Sequence, residues 1–212
     1  MEPKFVKLPI FVGNVALRVA QGHFATRHSH INYFIDVTSQ QSSLREAESV
    51  ARELSQTQLA YTTIDTILCM DGTRVIGTCL AQQLASAGYR SINGGRDIYL
   101  LRDNLTSEGQ LIFRENARFM LEGKNVLILL ASITTGGQAE KGMRCVRYYG
   151  GTVSGIAAIY SHVTELDGVP VTSLFHTENL AGYASYSPED CPLCKQGREV
   201  DAVVDKFGYS SL

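Results

Sequence analysis

The run Val126-Leu127-Ile128-Leu129-Leu130-Ala131-Ser132-Ile133-Thr134-Thr135-Gly136-Gly137 constrains this chain more than any other stretch. Its apolar part, Val126 to Ala131, is far too short to cross a bilayer and reads as a strand buried on both faces. Small residues follow, and then a helical pattern. Strand, small-residue turn and helix start gather free backbone N–H groups and the positive end of a helix dipole at one point, which suits an anion. Thr134 and Thr135 add hydroxyl donors, while Gly136 and Gly137 let a ligand approach the backbone without Cβ obstruction. The same residues would also serve an ordinary helix-capping turn, and taken alone they favour neither reading.

The rest of the chain alternates in the same way. Phe5 to Val12 and Ile31 to Val37 are β-prone and form an accessory layer. Ser43 and Glu46 have capping-box spacing, and Leu44, Ala47, Val50, Ala51 and Leu54 recur at helical intervals, so residues 43–56 read as an amphipathic helix. Ile64 to Met70 is a buried strand. After a turn at Asp71-Gly72-Thr73 comes a helix carrying Val75, Ile76, Cys79, Leu80 and Leu84, stopped by Gly88. Ile98 to Leu101, Thr152 to Tyr160 and Val171 to Phe175 are further strands, with a helix near 138–149. Residues 103–125 are polar, contain Gly109 and Gly123, and suit a long mobile hairpin or lid. This alternation predicts an α/β fold with a doubly wound parallel sheet. In such sheets ligands sit beyond the carboxyl ends of the strands, where both the 71–74 and 132–137 turns fall.

Several functions are excluded or disfavoured. There is no GxxxxGK[ST] phosphate loop and no GxGxxG dinucleotide turn. A net charge of −2, without any run of Lys or Arg, gives no electrostatic reason to expect nucleic acid. No GxSxG elbow is present, and Glu46, Glu48 and Glu53 read as the solvated face of one helix. Five cysteines at uneven spacing, and an N-terminus without a signal-type apolar region, point to a cytoplasmic, reducing location away from membranes.

Two clusters carry ligand chemistry. Cys191-x-x-Cys194 is a zinc half-site that His176 and Cys145 would complete, although no second half-site of regular spacing follows. Otherwise it is a thiol pair in a turn ordered by Pro192. His23, His28 and His30, beside the apolar Ile31 to Ile35, read as a hydrogen-bonded loop or subunit contact, since no carboxylate stands at helical or strand spacing to orient an imidazole.

Several segments match one known family in the same order. Ala131-Ser132-Ile133-Thr134-Thr135-Gly136-Gly137 resembles the phosphoribosyl-diphosphate motif of the type I phosphoribosyltransferases. Gly22-His23-Phe24, His28-Ser29 and Tyr33 resemble the N-terminal signature of the orotate enzymes, with Thr26 and Arg27 where that signature has Ser-Gly. Asp65 to Arg74 is similar to the strand and loop that hold the diphosphate. Cys191-Pro192-Leu193-Cys194-Lys195-Gln196-Gly197 is similar to a tail found in some members. The resemblance spans about residues 20–200 and implies one domain over 1–212, in which 1–40 and 176–212 form an accessory hood.

It further implies Mg²⁺-dependent transfer of the phosphoribosyl group from phosphoribosyl diphosphate to a nucleobase, by a homodimer. Residues Ile133, Thr134, Thr135, Gly136 and Gly137 would bind the 5′-phosphate, and Asp71, Gly72, Thr73 and Arg74 the diphosphate. A lid would close over the donor and exclude water, with Arg102, Arg114 and Arg118 as its nearby cations.

This chain departs from the family at two places. Where the family has two adjacent acidic residues, Ala131 and Ser132 stand. Charged hydrogen bonds contribute about 1.5–3 kcal/mol each, so losing two costs about 3–6 kcal/mol, or roughly two to four powers of ten in rate if all is felt in the transition state. The lid segment 99–122 also contains no Lys, whereas that of the orotate enzymes is lysine-rich. Three readings follow: a phosphoribosyltransferase with altered transfer, a sensor of phosphoribosyl diphosphate or a nucleoside 5′-monophosphate on the same fold, or an unrelated α/β domain whose turn only caps a helix.

Overall fold

The structure, a computed structural model, describes residues 5–27, 29–205 and 208–211. His28, one of the three clustered histidines, lies outside them. In chain order the elements are β1 (Phe5–Val12), β2 (Val15–Ala25), β3 (His30–Asp36), α1 (Thr38–Ser42), α2 (Leu44–Ser55), β4 (Thr66–Cys69), α3 (Arg74–Ser86), β5 (Tyr99–Arg102), β6 (Asn125–Ile133), α4 (Gly137–Tyr148), β7 (Thr152–Ser161), β8 (Glu165–Leu166), β9 (Val169–His176), β10 (Ser185–Tyr186), α5 (Pro192–Lys195), β11 (Ala202–Asp205) and β12 (Gly208–Ser211). They divide into two compact units, Gln40–His176 and the paired ends Met1–Ser39 with Thr177–Leu212.

The larger unit is built on a sheet of order β5-β4-β6-β7-β9-β8, parallel except for the β8–β9 hairpin. Strand alternation decides which helix covers which face. On one face Ile67 and Cys69 stand level with Leu127 and Leu129, and α3 presses onto them so closely that a Cβ at Gly77 would lie 2.3 Å from the Cys69 sulfur. On the other face Met70 and Ile128 meet α4 at Gly142, where a Cβ would lie 2.9 Å from the Met70 sulfur. Helices on both faces of a parallel sheet make the doubly wound fold that the alternation predicts.

Helix α2 buries Ala47, Val50, Ala51 and Leu54 and lies against α3. Its expected capping box does not form. Ser43 is the N-cap residue, but its hydroxyl makes no capping bond, and Leu44 is 62% exposed rather than part of the buried stripe.

The 103–125 stretch is not one lid. Residues 104–112 form a small hairpin closed by the Leu105–Leu111 bridge. The part beyond it is core: Phe113 and Leu121 are buried in the cluster around α4, and the Tyr149 hydroxyl both accepts from Phe113 N–H and donates to Phe113 carbonyl.

The smaller unit holds an antiparallel sheet of order β10-β3-β2-β11-β12, with β1 also on β2 and a short parallel pairing between β2 and β11. Its long central strand β2 is not expected from the sequence: Val15, Leu17 and Val19 are buried in regular alternation with Arg18 between the last two, but the period fails from Ala20 on, at Gln21 and Gly22. Between Gln21 and Phe24 the β2–β3 register slips. Two residues, Gly22 and His23, there oppose one, and such a bulge re-aims a side chain.

Candidate phosphate site at the carboxyl edge of the sheet

Three neighbouring strands of the larger unit end at one edge. The register sets Cys69 of β4 beside Leu129 of β6 on one side and Arg102 of β5 on the other. Strand β6 then runs four residues further, to Ile133, before the chain turns into α4. Asp71–Arg74, Arg102 and Ser132–Gly137 therefore share the carboxyl edge where open α/β sheets place their ligands.

The β6–α4 turn is open. Gly136 is the N-cap of α4, at φ +83°, a left-handed conformation that glycine adopts without strain. The first intrahelical bond runs from Glu140 N–H to Gly136 carbonyl, so the N–H groups of Gly137, Gln138 and Ala139 form the uncommitted first turn. Thr135, Gly137 and Gln138 are exposed, and a Cβ at Gly137 would meet nothing within 4 Å. On the inner side a Cβ at Gly136 would come within 2.8 Å of Leu166. Leu166 belongs to the β8–β9 hairpin, whose Asp167-Gly168 turn has φ of 48° and 74°, the signature of a tight type I′ turn. Ile133 is buried, so it can offer a ligand its backbone alone.

The β4–α3 loop is held from within. Asp71 and Gly72 both have positive φ, 51° and 81°, and the Gln41 amide donates to the Asp71 carbonyl at 2.5 Å. Thr73, expected to face a diphosphate, is fully buried; its hydroxyl lies 2.8 Å from the Met70 carbonyl and 3.1 Å from that of Leu129. Its side chain anchors the loop to β6 and is turned away from solvent. Gly72 and Arg74 are exposed.

Of the lid cations, Arg118 is engaged with Glu115 at 3.5 Å and Glu122 at 3.3 Å. Arg102 and Arg114 are exposed and make no ion pair among the described residues. The positions of the family's acidic pair differ from one another: Ala131 is 5% exposed, whereas Ser132 is half-buried.

Electrostatics at this edge and beneath it follow from burial and pairing. Burial pushes the Cys69 thiol up to about 12, against a smaller opposing pull from Arg74. Cys145 is likewise raised by burial, to about 11, and its Sγ–H donates to the Leu111 carbonyl. Both thiols are inert at neutral pH. At the opposite end of the strands, Asp65 is raised by burial but lowered more by the Asn125 N–H groups and by Arg96, leaving it below the ordinary carboxylate value.

Cys145 and His176, expected to complete a zinc site with Cys191 and Cys194, are engaged elsewhere. Cys145 is bound to Leu111, and His176 Nδ1 lies 3.0 Å from the Ser173 hydroxyl. The two residues that do meet the cysteines are His23 and His30. Sequence spacing gave no access to this, since Cys191 stands 168 residues from His23. Among the described residues this is the one close group of potential metal ligands.

A parallel sheet wound on both sides, with an uncapped Thr/Gly helix start at its carboxyl edge, is the arrangement in which open α/β folds place a ligand site. No family model matches the chain. An orotate phosphoribosyltransferase of Wolinella succinogenes is 30% identical over 195 residues, covering 86% of this chain and 89% of that protein. One from Pelotomaculum thermopropionicum is 35% identical over 127 residues, covering 58% of this chain and 61% of that protein, so the chain matches less than two thirds of this relative's length. The orotate phosphoribosyltransferase of Mycobacterium tuberculosis, solved in complex with 5-phospho-α-D-ribosyl 1-diphosphate, superposes with a TM-score of 0.51 at 18% identity, covering 69% of this chain and 82% of that one. The chain belongs to the type I phosphoribosyltransferase family, and the relatives that place it there are orotate phosphoribosyltransferases.

Proposed function

We propose that the chain binds phosphoribosyl diphosphate, or the nucleoside 5′-monophosphate that shares its phosphorylated ribose, at the carboxyl edge of the larger unit's sheet. The observation that carries this reading is the uncapped first turn of α4, with Gly136 left-handed and Gly137 open to solvent, beside the β4–α3 loop. In this reading the backbone of Ile133, Gly136 and Gly137 and the hydroxyls of Thr134 and Thr135 hold the 5′-phosphate. The loop Asp71–Arg74 takes the diphosphate through its backbone and the Arg74 guanidinium, while Arg102 and Arg114 supply positive charge from the lid side. Mg²⁺ would come bound to the diphosphate and neutralise its leaving charge. The smaller unit plays the part of the accessory hood of a single phosphoribosyltransferase domain. The protein works as a cytoplasmic homodimer, without nucleic-acid or membrane partners; no helix among the described residues is long and apolar enough to cross a membrane.

Two outcomes at the bound donor remain distinct. In transfer, a nucleobase nitrogen bonds to C1 of the ribose as the C1–diphosphate bond breaks. In sensing, the ligand is held unchanged. Ala131 favours sensing: its buried methyl offers no acceptor where the family has a carboxylate for the ribose hydroxyls. A diphosphate-release assay with phosphoribosyl diphosphate, Mg²⁺ and orotate, then purine bases, decides between them. Release with a base identifies a transferase that works without the acidic pair, and tight binding without release identifies a sensor.

A further inference from the structure

The smaller unit brings together two imidazoles and two thiols from three separate segments. His23 comes from the bulge of β2, His30 opens β3, Cys191 is the N-cap residue of α5, and Cys194 lies within that helix. Their ligand atoms all lie within 4.8 Å of one another. His23 Nε2 is 3.0 Å from His30 Nδ1, 3.5 Å from Cys191 Sγ and 3.6 Å from Cys194 Sγ, and His30 Nδ1 is 3.2 Å from Cys194 Sγ. A tetrahedral ion at Zn–N of about 2.0–2.1 Å and Zn–S of about 2.3 Å would separate its donors by roughly 3.3 Å for N–N and 3.6 Å for N–S. The observed spacings sit close to those of a coordination shell.

The surroundings fix the imidazole tautomer that coordination requires. His23 Nδ1 lies 3.0 Å from the carbonyls of both Arg198 and Glu199. Carbonyls only accept, so Nδ1 carries the proton and Nε2 presents its lone pair to the cluster. The backbone of His23 is pinned as well: its N–H donates to the Asp201 carboxylate at 2.6 Å, and its carbonyl accepts from Asp201 N–H at 2.7 Å. His23 and Cys191 are both fully buried. Two thiolates and two neutral imidazoles around a divalent ion sum to zero charge, which removes the penalty of burying an ion there.

We infer that His23 Nε2, His30 Nδ1, Cys191 Sγ and Cys194 Sγ form a closed tetrahedral zinc site. A Cys₂His₂ set selects Zn²⁺ over the oxygen-seeking divalent cations. Four protein ligands leave no position for substrate, so the ion is structural: it fastens the returning C-terminal segment to the β2–β3 pair. Loading it releases the thiol protons, and the residues around it change neither redox state nor covalent structure.

The test is metal analysis of the full chain, purified under reducing conditions without chelator, followed by replacement with Co²⁺. One zinc per chain is expected, with a tetrahedral cobalt spectrum that includes thiolate-to-metal charge transfer. Cys194→Ser, at an exposed position, should weaken zinc binding by about a hundredfold or more and remove that charge-transfer band. His176→Ala and Cys145→Ala should leave zinc content unchanged. A folded, reduced chain that contains no zinc and takes up none from a micromolar solution overturns the site. So does an octahedral cobalt spectrum, or zinc content that Cys194→Ser leaves intact.

Discussion

The turn between β6 and α4 lies where a strand ends, the thiol–imidazole cluster lies where β2 slips its register, and the two are built on opposite terms. The turn is contiguous in sequence, open to solvent, and presents first-turn N–H donors that its own helix leaves uncommitted. The cluster is gathered from three segments and buried at two of its four positions, with its donors already facing one another. An open cradle of backbone N–H groups admits an anion that must come and go. A closed four-ligand shell keeps an ion that has only to stay. On the two proposals, one chain separates a site for turnover or sensing from one for architecture.

The contrast can be broken most forcefully at the closed site. Stripping zinc with a chelator should lower the melting temperature by about 10 °C, as expected when a structural metal worth a few kcal/mol is lost from a chain of this size. Scanning calorimetry with and without chelator measures it, and unchanged melting would remove the architectural role. The converse test is Gly136→Val. Its Cβ would point at Leu166, a flexible end that can yield, but φ +83° remains, so the cost in stability is about 1–3 kcal/mol. Affinity for phosphoribosyl diphosphate should fall about a hundredfold or more, with zinc content unchanged.

Smaller effects sharpen the comparison. Ser132→Asp places a carboxylate at the half-buried member of the acidic pair and should raise donor affinity in Mg²⁺ roughly tenfold or more, the value of one charged hydrogen bond. Ala131→Asp would bury its charge and is the poorer restoration. No gain from Ser132→Asp, read by titration calorimetry, counts against the ribose assignment. The smallest effect is Asp65→Asn, which lies outside both sites. Because the folded carboxyl sits below its ordinary value, its contribution is present in full above the unfolded Asp range and fades as pH falls through the folded value. Denaturation should show the variant slightly less stable at neutral pH, with the difference vanishing in acid, while ligand and zinc binding are unchanged.

What could be read from the sequence follows the same division. The β6–α4 unit was legible because strand, turn and helix are adjacent and each has its own signal: an apolar run, two glycines and a helical period. The helices α2 and α3 were legible for the same reason. Long-range placement was not. Thr73 looks like a ligand-facing hydroxyl until its burial against Leu129 is known, and Phe113 and Leu121 look like parts of a polar lid until α4 covers them. The cysteines' true partners lie at the other end of the chain, brought into reach by a β-bulge that carries no clear sequence signal.

On the proposed reading, the open turn holds a phosphorylated ribose. Calorimetric titration of the unmodified chain with phosphoribosyl diphosphate in Mg²⁺ tests it directly. One binding event per chain in the micromolar range, abolished by Gly136→Val, is the predicted result. No binding of phosphoribosyl diphosphate or of any nucleoside monophosphate by the folded, zinc-loaded chain would contradict it and leave the turn a helix cap.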